Sequence, residues 1–508
     1  MTTRYITTPI YYLNAAPHLG HVYTTVAGDV LARFWRLHGA KVKFLTGTDE
    51  HGQKIAQAAE ALGKDPKVHV DEMAEVFRRM TKDIGATPDV FIRTTEERHY
   101  KAASALWGRL IESGDIYLGS YSGWYAVRDE AYYDESEIVD GKAPTGAPVE
   151  FMEEPSYFFR LSKWENALLK YYEDFPQAIA PLSRHNEVIS FIKGGLKDLS
   201  ISRTNFTWGV PVPGDKDHVM YVWMDALTNY ITALGYPDSD TENFKDFWPE
   251  SIHLMGKDIL RFHAIYWPAF LMAAKLQPPK RIFAHGWWTA NGQKMSKSLG
   301  NVVDPFKLIE TYGLDQLRYF LMREVPFGQD GDFSNAAMIS RINSNLANDL
   351  GNLVQRVLSF VAKNAGARIP TPGDFTDEDR EMLAASAQLH DILIEDMNQQ
   401  LLHKYCEHIG DVVVKANRYI DQQRPWSLKK TGRPEDEKHM ETILYVLLET
   451  IRHVGIYYQP VMPETMGRLL DQLGQDLRTF EDLKTPLKSG ITLPAPEPLF
   501  PRIETEAA

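Results

Sequence analysis

Cysteine occurs once in 508 residues, at Cys406, which excludes an intramolecular disulfide and a thiolate zinc cluster alike. Long apolar runs are missing as well: no stretch approaches the roughly 20 residues needed to cross a bilayer. The first residues, Met1-Thr2-Thr3-Arg4-Tyr5-Ile6, lead straight into strand-like alternation, with no basic segment followed by an apolar one. A cytoplasmic location away from the membrane is therefore expected. Positive charge is in deficit, with 55 Lys and Arg against 68 Asp and Glu and a net charge of −13. That balance argues against diffuse, charge-driven binding of nucleic acid, although it leaves room for a locally basic groove. No repeat of solenoid period is visible, and the length calls for two to four domains.

What is present begins with a βαβ pattern. Residues 4–14, rich in Tyr, Ile and Thr, read as a strand; a turn with Pro17 follows, then an amphipathic segment over 22–38 closed by Gly39, and a second strand over 41–46. The helix begins around His18 to His21, the kind of place at which open α/β sheets bind nucleotides. Further on, Gly, Pro, Tyr and acidic residues crowd between Ser120 and Pro155, and strand and helix patterns resume after Arg203. Past Asp304-Pro305, a cap followed by proline at the first helical position, the chain reads as helical almost throughout. There Ile342, Leu346, Leu350, Leu353, Val357 and Val361 form an apolar stripe beside a polar one of Asn345, Asp349, Asn352 and Arg356. The expected fold class is α/β, a Rossmann-like nucleotide-binding fold split by an inserted connective domain and followed by an all-α domain. The expected divisions are 1–116 and 204–280 for the two halves of that fold and 117–203 for the insertion. A loop region over 281–340, a helical domain over 341–480 and a tail over 481–508 follow.

Two motifs carry chemistry. His18-Leu19-Gly20-His21 offers two imidazoles and helix amides; Lys294-Met295-Ser296-Lys297-Ser298, directly after the tight-turn pair Asn291-Gly292, offers two ammonium groups. Adenylyl transfer to a carboxylate needs no nucleophilic side chain. It needs an aligned acceptor and neutralisation of charge on the phosphorus and departing pyrophosphate, which these groups supply with a magnesium ion on the phosphates. Alone, the first motif is also an ordinary helix start and the second a solvated surface turn; together, each after a strand, they point to a nucleoside triphosphate.

These motifs make the chain resemble the class I aminoacyl-tRNA synthetases, over nearly its whole length. Segments resembling the methionine-specific branch are Thr8-Pro9-Ile10-Tyr11-Tyr12-Leu13-Asn14, Thr46-Gly47-Thr48-Asp49-Glu50-His51-Gly52, Val222-Trp223-Met224-Asp225-Ala226 and Gly256-Lys257-Asp258-Ile259 with Phe262-His263. The resemblance implies catalytic roles for His18, His21, Lys294 and Lys297, and ATP binding by His18, Gly20, His21, Gly256, Asp258 and Lys297. It implies a methionine pocket of Ile10, Tyr12, Asp49, Trp223, Ala226, Leu227, Tyr230, Ile259 and His263, with Asp49 on the ammonium and Arg203 supporting it. A thioether suits aromatic walls, and a carboxylate suits an ammonium. Without the resemblance, Trp223, Tyr230 and Ile259 read as ordinary core. Anticodon reading falls by the same resemblance on Asn352, Arg356 and Trp426: two side chains four apart on one helix, and an indole after a proline break that can stack a base. Cys406 reads as a small buried hydrophobe.

The chain departs from many such synthetases in its insertion, where Ala126, Asp129 and Ala143 stand in place of zinc-binding cysteines. A zinc-free insertion is expected, with Trp124, Tyr125, Tyr132 and Tyr133 in its core. The implied partners are methionine, ATP with Mg2+, and initiator and elongator tRNA for methionine. A monomer is expected, because the chain ends soon after the helical domain. Two other readings stay open on sequence alone: a nucleotidyltransferase with a small acceptor, and a non-catalytic RNA-binding paralogue.

Overall fold

The structure is a computed structural model that describes residues 2–13, 15–129, 131–133, 135–295 and 301–504. Contacts divide it into two units: residues 3–17 and 43–285 form one, and residues 1–2, 18–42 and 286–508 the other.

Along the chain, β1 (Thr3–Tyr12), helix α1 (Leu19–Leu37), β2 (Lys41–Asp49) and β3 (Val90–Arg93) come first. The insertion then supplies β4 (Ile116–Ala126), β5 (Ala131–Tyr133), β6 (Glu150–Phe159), β7 (Ile179–Ala180) and β8 (Leu199–Ser200). Next are β9 (Ser202–Arg203), β10 (Pro211–Val212), β11 (Asp215–Met220), helix α2 (Val222–Leu227), β12 (Ser251–Gly256) and β13 (Arg281–His285). The first unit is built on a six-stranded sheet in the order β3-β2-β1-β12-β13-β7, in which β12 joins β1 and β13 in parallel. This is the α/β, Rossmann-like sheet expected from the opening βαβ pattern. Its central strand, β1, has Tyr5, Ile6, Thr7 and Thr8 fully buried, as in a strand covered on both faces. Its pairing with β12 runs over Tyr5 to Thr7 and stops before Pro9, which has no N–H to offer. Gly47 meets Ile92 across β2 and β3 so closely that a Cβ would lie 2.0 Å from the Ile92 carbonyl oxygen.

The insertion forms a separate four-stranded antiparallel sheet, β5-β4-β6-β8, along a pairing that runs from Ile116 opposite Phe159 to Tyr125 opposite Glu150. At its tip Ala126, Ala143, Ala147 and Val149 are buried together against Trp124, Tyr133 and Ile138. Its β7 leaves that sheet and extends the main one, with Ile179 opposite Ile282. Residues 117–203 therefore contribute to both sheets, because two residues of β-branched and small character suffice to add an edge.

The second unit holds α1, a small sheet of β14 (Trp288–Ala290), β15 (Gln293–Lys294) and β16 (Gly331–Phe333) in the order β15-β14-β16, and a helical remainder. Asp304 caps the helix Pro305–Tyr312, its carboxylate accepting from Phe306 N at 2.9 Å, with proline in the first turn. Helices α3 (Leu314–Arg323), α4 (Leu402–Gln423) and α5 (Pro434–Tyr458) follow among others. The apolar stripe from Ile342 to Val361 is buried at all six positions. Its first half, Ile342–Gly351, is a π-helix, whose wider turns keep residues four apart on one face. Cys406 is fully buried, and burial pushes its thiol up to about 12. Among the described residues no helix is long and apolar enough to cross a membrane.

Candidate functional site

Helix α1 starts where it does because two histidines cap it reciprocally. His18, in an extended conformation (φ −131°, ψ 174°), accepts the Gly20 N–H on Nδ1 at 3.1 Å, while His21 Nδ1 accepts the His18 N–H at 3.2 Å. The rings stack at 3.8 Å between centroids. A nitrogen that accepts carries no proton, so each neutral ring holds its proton on Nε2, an assignment made from the hydrogen bonds. Burial, and then the neighbouring His18, push the His21 imidazole well below its ordinary range, so it is neutral at physiological pH. Two neutral Nε2–H donors at a helix N-terminus are suited to phosphate oxygens. Gly20 permits the cap: a Cβ there would lie 3.0 Å from His18 Cε1.

In the same unit Asn291 and Gly292, with φ of 50° and 75°, close a two-residue hairpin between Ala290 and Gln293. Asp332 on β16 pins it, accepting from Thr289 Oγ1 and from Gly292 N, each at 2.7 Å. The hairpin carries Lys294 on β15. Lys297 lies outside the described residues.

The other unit gathers the residues expected to take methionine. His263 Nε2 is 2.7 Å from the Tyr230 hydroxyl and Nδ1 is 3.0 Å from the Ile259 carbonyl, so Nδ1–H donates to Ile259 and Nε2 accepts from Tyr230. Trp223 meets the His263 ring edge-on at 6.0 Å and stacks on Phe262 at 3.8 Å. Ile10, Trp223 and Ile259, partly buried, pack on the core that contains Leu227 and Tyr230. Ala226, on α2, is buried. Tyr12 ends β1, with the Lys54 ammonium 5.7 Å from its ring centroid; Asp49 ends β2, buried, and its carbonyl accepts from Leu13 N at 3.3 Å. Gly256 lets the Asp258 carboxylate come close, since a Cβ would lie 2.5 Å from Oδ1. Arg203 is buried, donates to Ser200 Oγ at 2.8 Å and the Ser202 carbonyl at 2.7 Å, and lies 4.5 Å over the Tyr221 ring.

Burial lowers the His263 imidazole to about 4, only partly offset by its bond to the Ile259 carbonyl and the Asp258 charge. The folded value lies below the unfolded one of 6.5, so between those values the unfolded chain binds a proton that the folded chain refuses. Stability falls as pH drops from 6.5 toward 4, by about 3 kcal/mol for this ring. His263→Gln, which cannot titrate, is expected to flatten the stability profile in that window in calorimetry; an unchanged slope would show that the ring is already charged when folded.

A third group is built of residues to which the motifs assign no role. Asp225 accepts from His51 Nδ1 at 2.6 Å and His99 Nε2 at 2.7 Å, all three buried, and Tyr100 OH is 2.9 Å from His51 Nε2. Burial alone would raise the Asp225 carboxyl; electrostatic attraction to His51 and the hydrogen bonds from His51 and His99 override it and hold it at about 2. His51 and Asp225 lie inside recognised motifs, but nothing in either segment names the other as its partner.

In the helical region Arg356 NH2 donates to Asp421 at 2.6 Å, and its guanidinium lies 5.6 Å from the Trp426 ring centroid. Trp426 follows Arg424, whose φ of 44° breaks the path of α4, and Pro425, which opens the next helix. Asn352 is exposed one turn before Arg356. An open cleft of about 580 Å³ lined by Arg418, Asp421, Gln422 and Arg424 adjoins this pair through Asp421. Among the described residues no group of three or more His, Cys, Asp or Glu is arranged to hold a metal ion.

Comparison with known proteins accords with these features. The family described as tRNA synthetases class I (M) matches residues 4–148 and 144–358, and the anticodon binding domain of methionyl tRNA ligase matches residues 369–508. A methionine–tRNA ligase of Brucella suis biovar 1 (strain 1330) is 54% identical over 98% of this chain and 97% of its own length. One from Rickettsia bellii (strain RML369-C) is 53% identical over 99% of both. Mycobacterium tuberculosis methionyl-tRNA synthetase, solved in complex with methionyl-adenylate, superposes with a TM-score of 0.96 at 51% identity, covering 99% of this chain and 100% of that one. Agreement at this level along the full length, from the histidine-capped helix to the helical domain, means that the chain belongs to the methionyl-tRNA synthetase family of class I aminoacyl-tRNA synthetases.

Proposed function

We propose that this methionine–tRNA ligase works through the following division of roles. The methionine carboxylate attacks the α-phosphorus of ATP, pyrophosphate leaves, and the terminal ribose hydroxyl of tRNA then attacks the methionyl carbonyl, releasing AMP. The Nε2–H groups of His18 and His21 and the ammonium groups of Lys294 and Lys297 neutralise the phosphates, together with Mg2+ brought in by ATP. Gly20, Gly256 and Asp258 complete the ATP site. Asp49 takes the substrate ammonium with Arg203 in support, and Ile10, Tyr12, Trp223, Ala226, Leu227, Tyr230, Ile259 and His263 surround the thioether. The reciprocal histidine cap is the observation that carries this reading, because it makes both imidazoles neutral donors. Exchange of pyrophosphate into ATP, measured with each amino acid, tests it: methionine should support exchange, and equal rates with leucine would remove the assignment.

Asn352, Arg356 and Trp426 read the anticodon of initiator and elongator tRNA. The guanidinium beside the indole supports this, since both groups offer flat faces to an unstacked base. Trp426→Ala and Arg356→Ala are expected to weaken charging by roughly 1 to 3 kcal/mol of lost stacking while tRNA-independent exchange stays nearly intact. A parallel fall in both activities would make the residues structural. The insertion holds itself without zinc: Asp129 accepts from Tyr133 OH at 3.0 Å, Arg128 Nε at 3.2 Å and Thr145 Oγ1, beside the small apolar cluster at its tip. The chain acts as a cytoplasmic monomer.

A further inference from the structure

The buried group around Asp225 takes no part in the phosphate chemistry, yet it links the two segments that form the amino-acid pocket. Asp225 sits on α2 between Trp223 and Ala226, and His51 stands two residues beyond Asp49. Each carboxylate oxygen accepts one imidazole N–H, from His51 at 2.6 Å and from His99 at 2.7 Å. With Nδ1–H committed to Asp225, His51 Nε2 accepts from Tyr100, whose hydroxyl is pushed up to about 12 by burial and by the Asp225 and Glu50 charges, and so keeps its proton. Glu50, between Asp49 and His51, is itself fully buried and held by Arg93 at 2.6 Å and by Thr48 at 2.7 Å. The turn after β2 is thus tied down on both sides. An apolar group of the same shape would hold α2 in place as stably, because burying an ionic group costs desolvation. What the hydrogen bonds add is direction and distance.

We propose that Asp225, acting through His51, is a positioning and specificity-determining residue. It sets the distance between the carboxylate that takes the substrate ammonium and the α2 side chains that take the thioether, and so selects amino acids by side-chain length. The proposal rests on the assignment of Asp49 and Trp223 to the methionine pocket. Slack in the link lowers methionine affinity and length discrimination and leaves ATP binding unchanged.

The test uses the full chain carrying His51→Ala, His51→Asn, Asp225→Asn or Asp49→Asn, with pyrophosphate exchange measured on methionine and on its longer homologue ethionine. His51→Ala is expected to raise the methionine KM about tenfold, as displaced pocket geometry does, to leave the ATP KM unchanged, and to narrow the preference for methionine over ethionine. His51→Asn should restore most of the loss, because an asparagine amide N–H occupies the place of Nδ1–H. Asp49→Asn controls for the underlying assignment: an unchanged methionine KM there overturns the pocket reading itself. If Asp49→Asn weakens methionine while His51→Ala and Asp225→Asn do not, the positioning role is overturned and the pocket stands. A joint rise of both KM values, or no rescue by asparagine, also overturns it. Should His51→Ala not fold, Asp225→Asn, which keeps the side-chain volume, is read in the same way; if neither folds, the group is structural and the proposal fails.

Discussion

His21→Asn should slow methionyl-adenylate formation by about 100- to 1,000-fold, the cost of removing one donor aimed at charge that develops in the transition state. The variant separates two jobs of one ring. His21 Nδ1 accepts the His18 N–H at the start of α1, and an asparagine carboxamide oxygen can take over that bond. Nothing in asparagine reaches where Nε2–H stands. The helix should therefore keep its start and the protein its thermal midpoint, while the rate falls and methionine affinity, measured by equilibrium titration, changes little. Rapid-quench measurement of adenylate formation decides the matter. A rate near that of the parent would mean that His21 serves the helix alone and that the phosphates are neutralised elsewhere.

Arg318→Ala should destabilise the unit that contains α1 and the helical region by about 3 to 5 kcal/mol, as when one partner of a buried pair is removed. Arg318 on α3 and Asp29 on α1 are both fully buried, with NH2 to Oδ2 at 2.7 Å. The same guanidinium donates to the Val461 carbonyl at 2.8 Å and the Pro460 carbonyl at 2.9 Å, just past α5. Alanine would remove the donations to both carbonyls and take one cation from Asp29, which keeps Arg33, 24% exposed on the same helix, at 2.7 Å. Replacing the pair together, Asp29→Leu with Arg318→Met, should recover much of the loss, because an apolar pair avoids the desolvation cost of a buried carboxylate that has lost one of its cations. Urea unfolding of the three proteins provides the test. If the single variant loses less than the double, the pair is not the source of the stability.

Local order was legible in the residues. His18 as the first turn of a helix, Asn291-Gly292 as a two-residue hairpin, Asp304-Pro305 as a cap with proline inside it, and the apolar stripe from Ile342 to Val361 are all interactions between residues a few positions apart. Such signals sit in short windows because capping, turn geometry and helical facing act over four residues or fewer. The same holds for chemical character: a thioether pocket asks for aromatics and a carboxylate, and a triphosphate asks for imidazole and ammonium donors. Recognition of the motifs carried the candidate site further than spacing alone could, since Trp223 or Tyr230 without it reads as core.

Only the tertiary structure decided which buried charges face each other. Asp225 lies 174 residues from His51 and 126 from His99, and Arg318 lies 289 from Asp29. No periodicity selects such partners, because a buried ion is satisfied by whatever donor packing brings within hydrogen-bonding distance. The same reason hid the departure of β7 from the insertion to the edge of the main sheet, where a two-residue strand has too little pattern of its own to announce its neighbour. The sequence by itself determined the kinds of group this protein uses and where its local elements begin; tertiary packing determined the pairs, because the cost of leaving a charge or a backbone group unmatched is levied only once water has been removed around it.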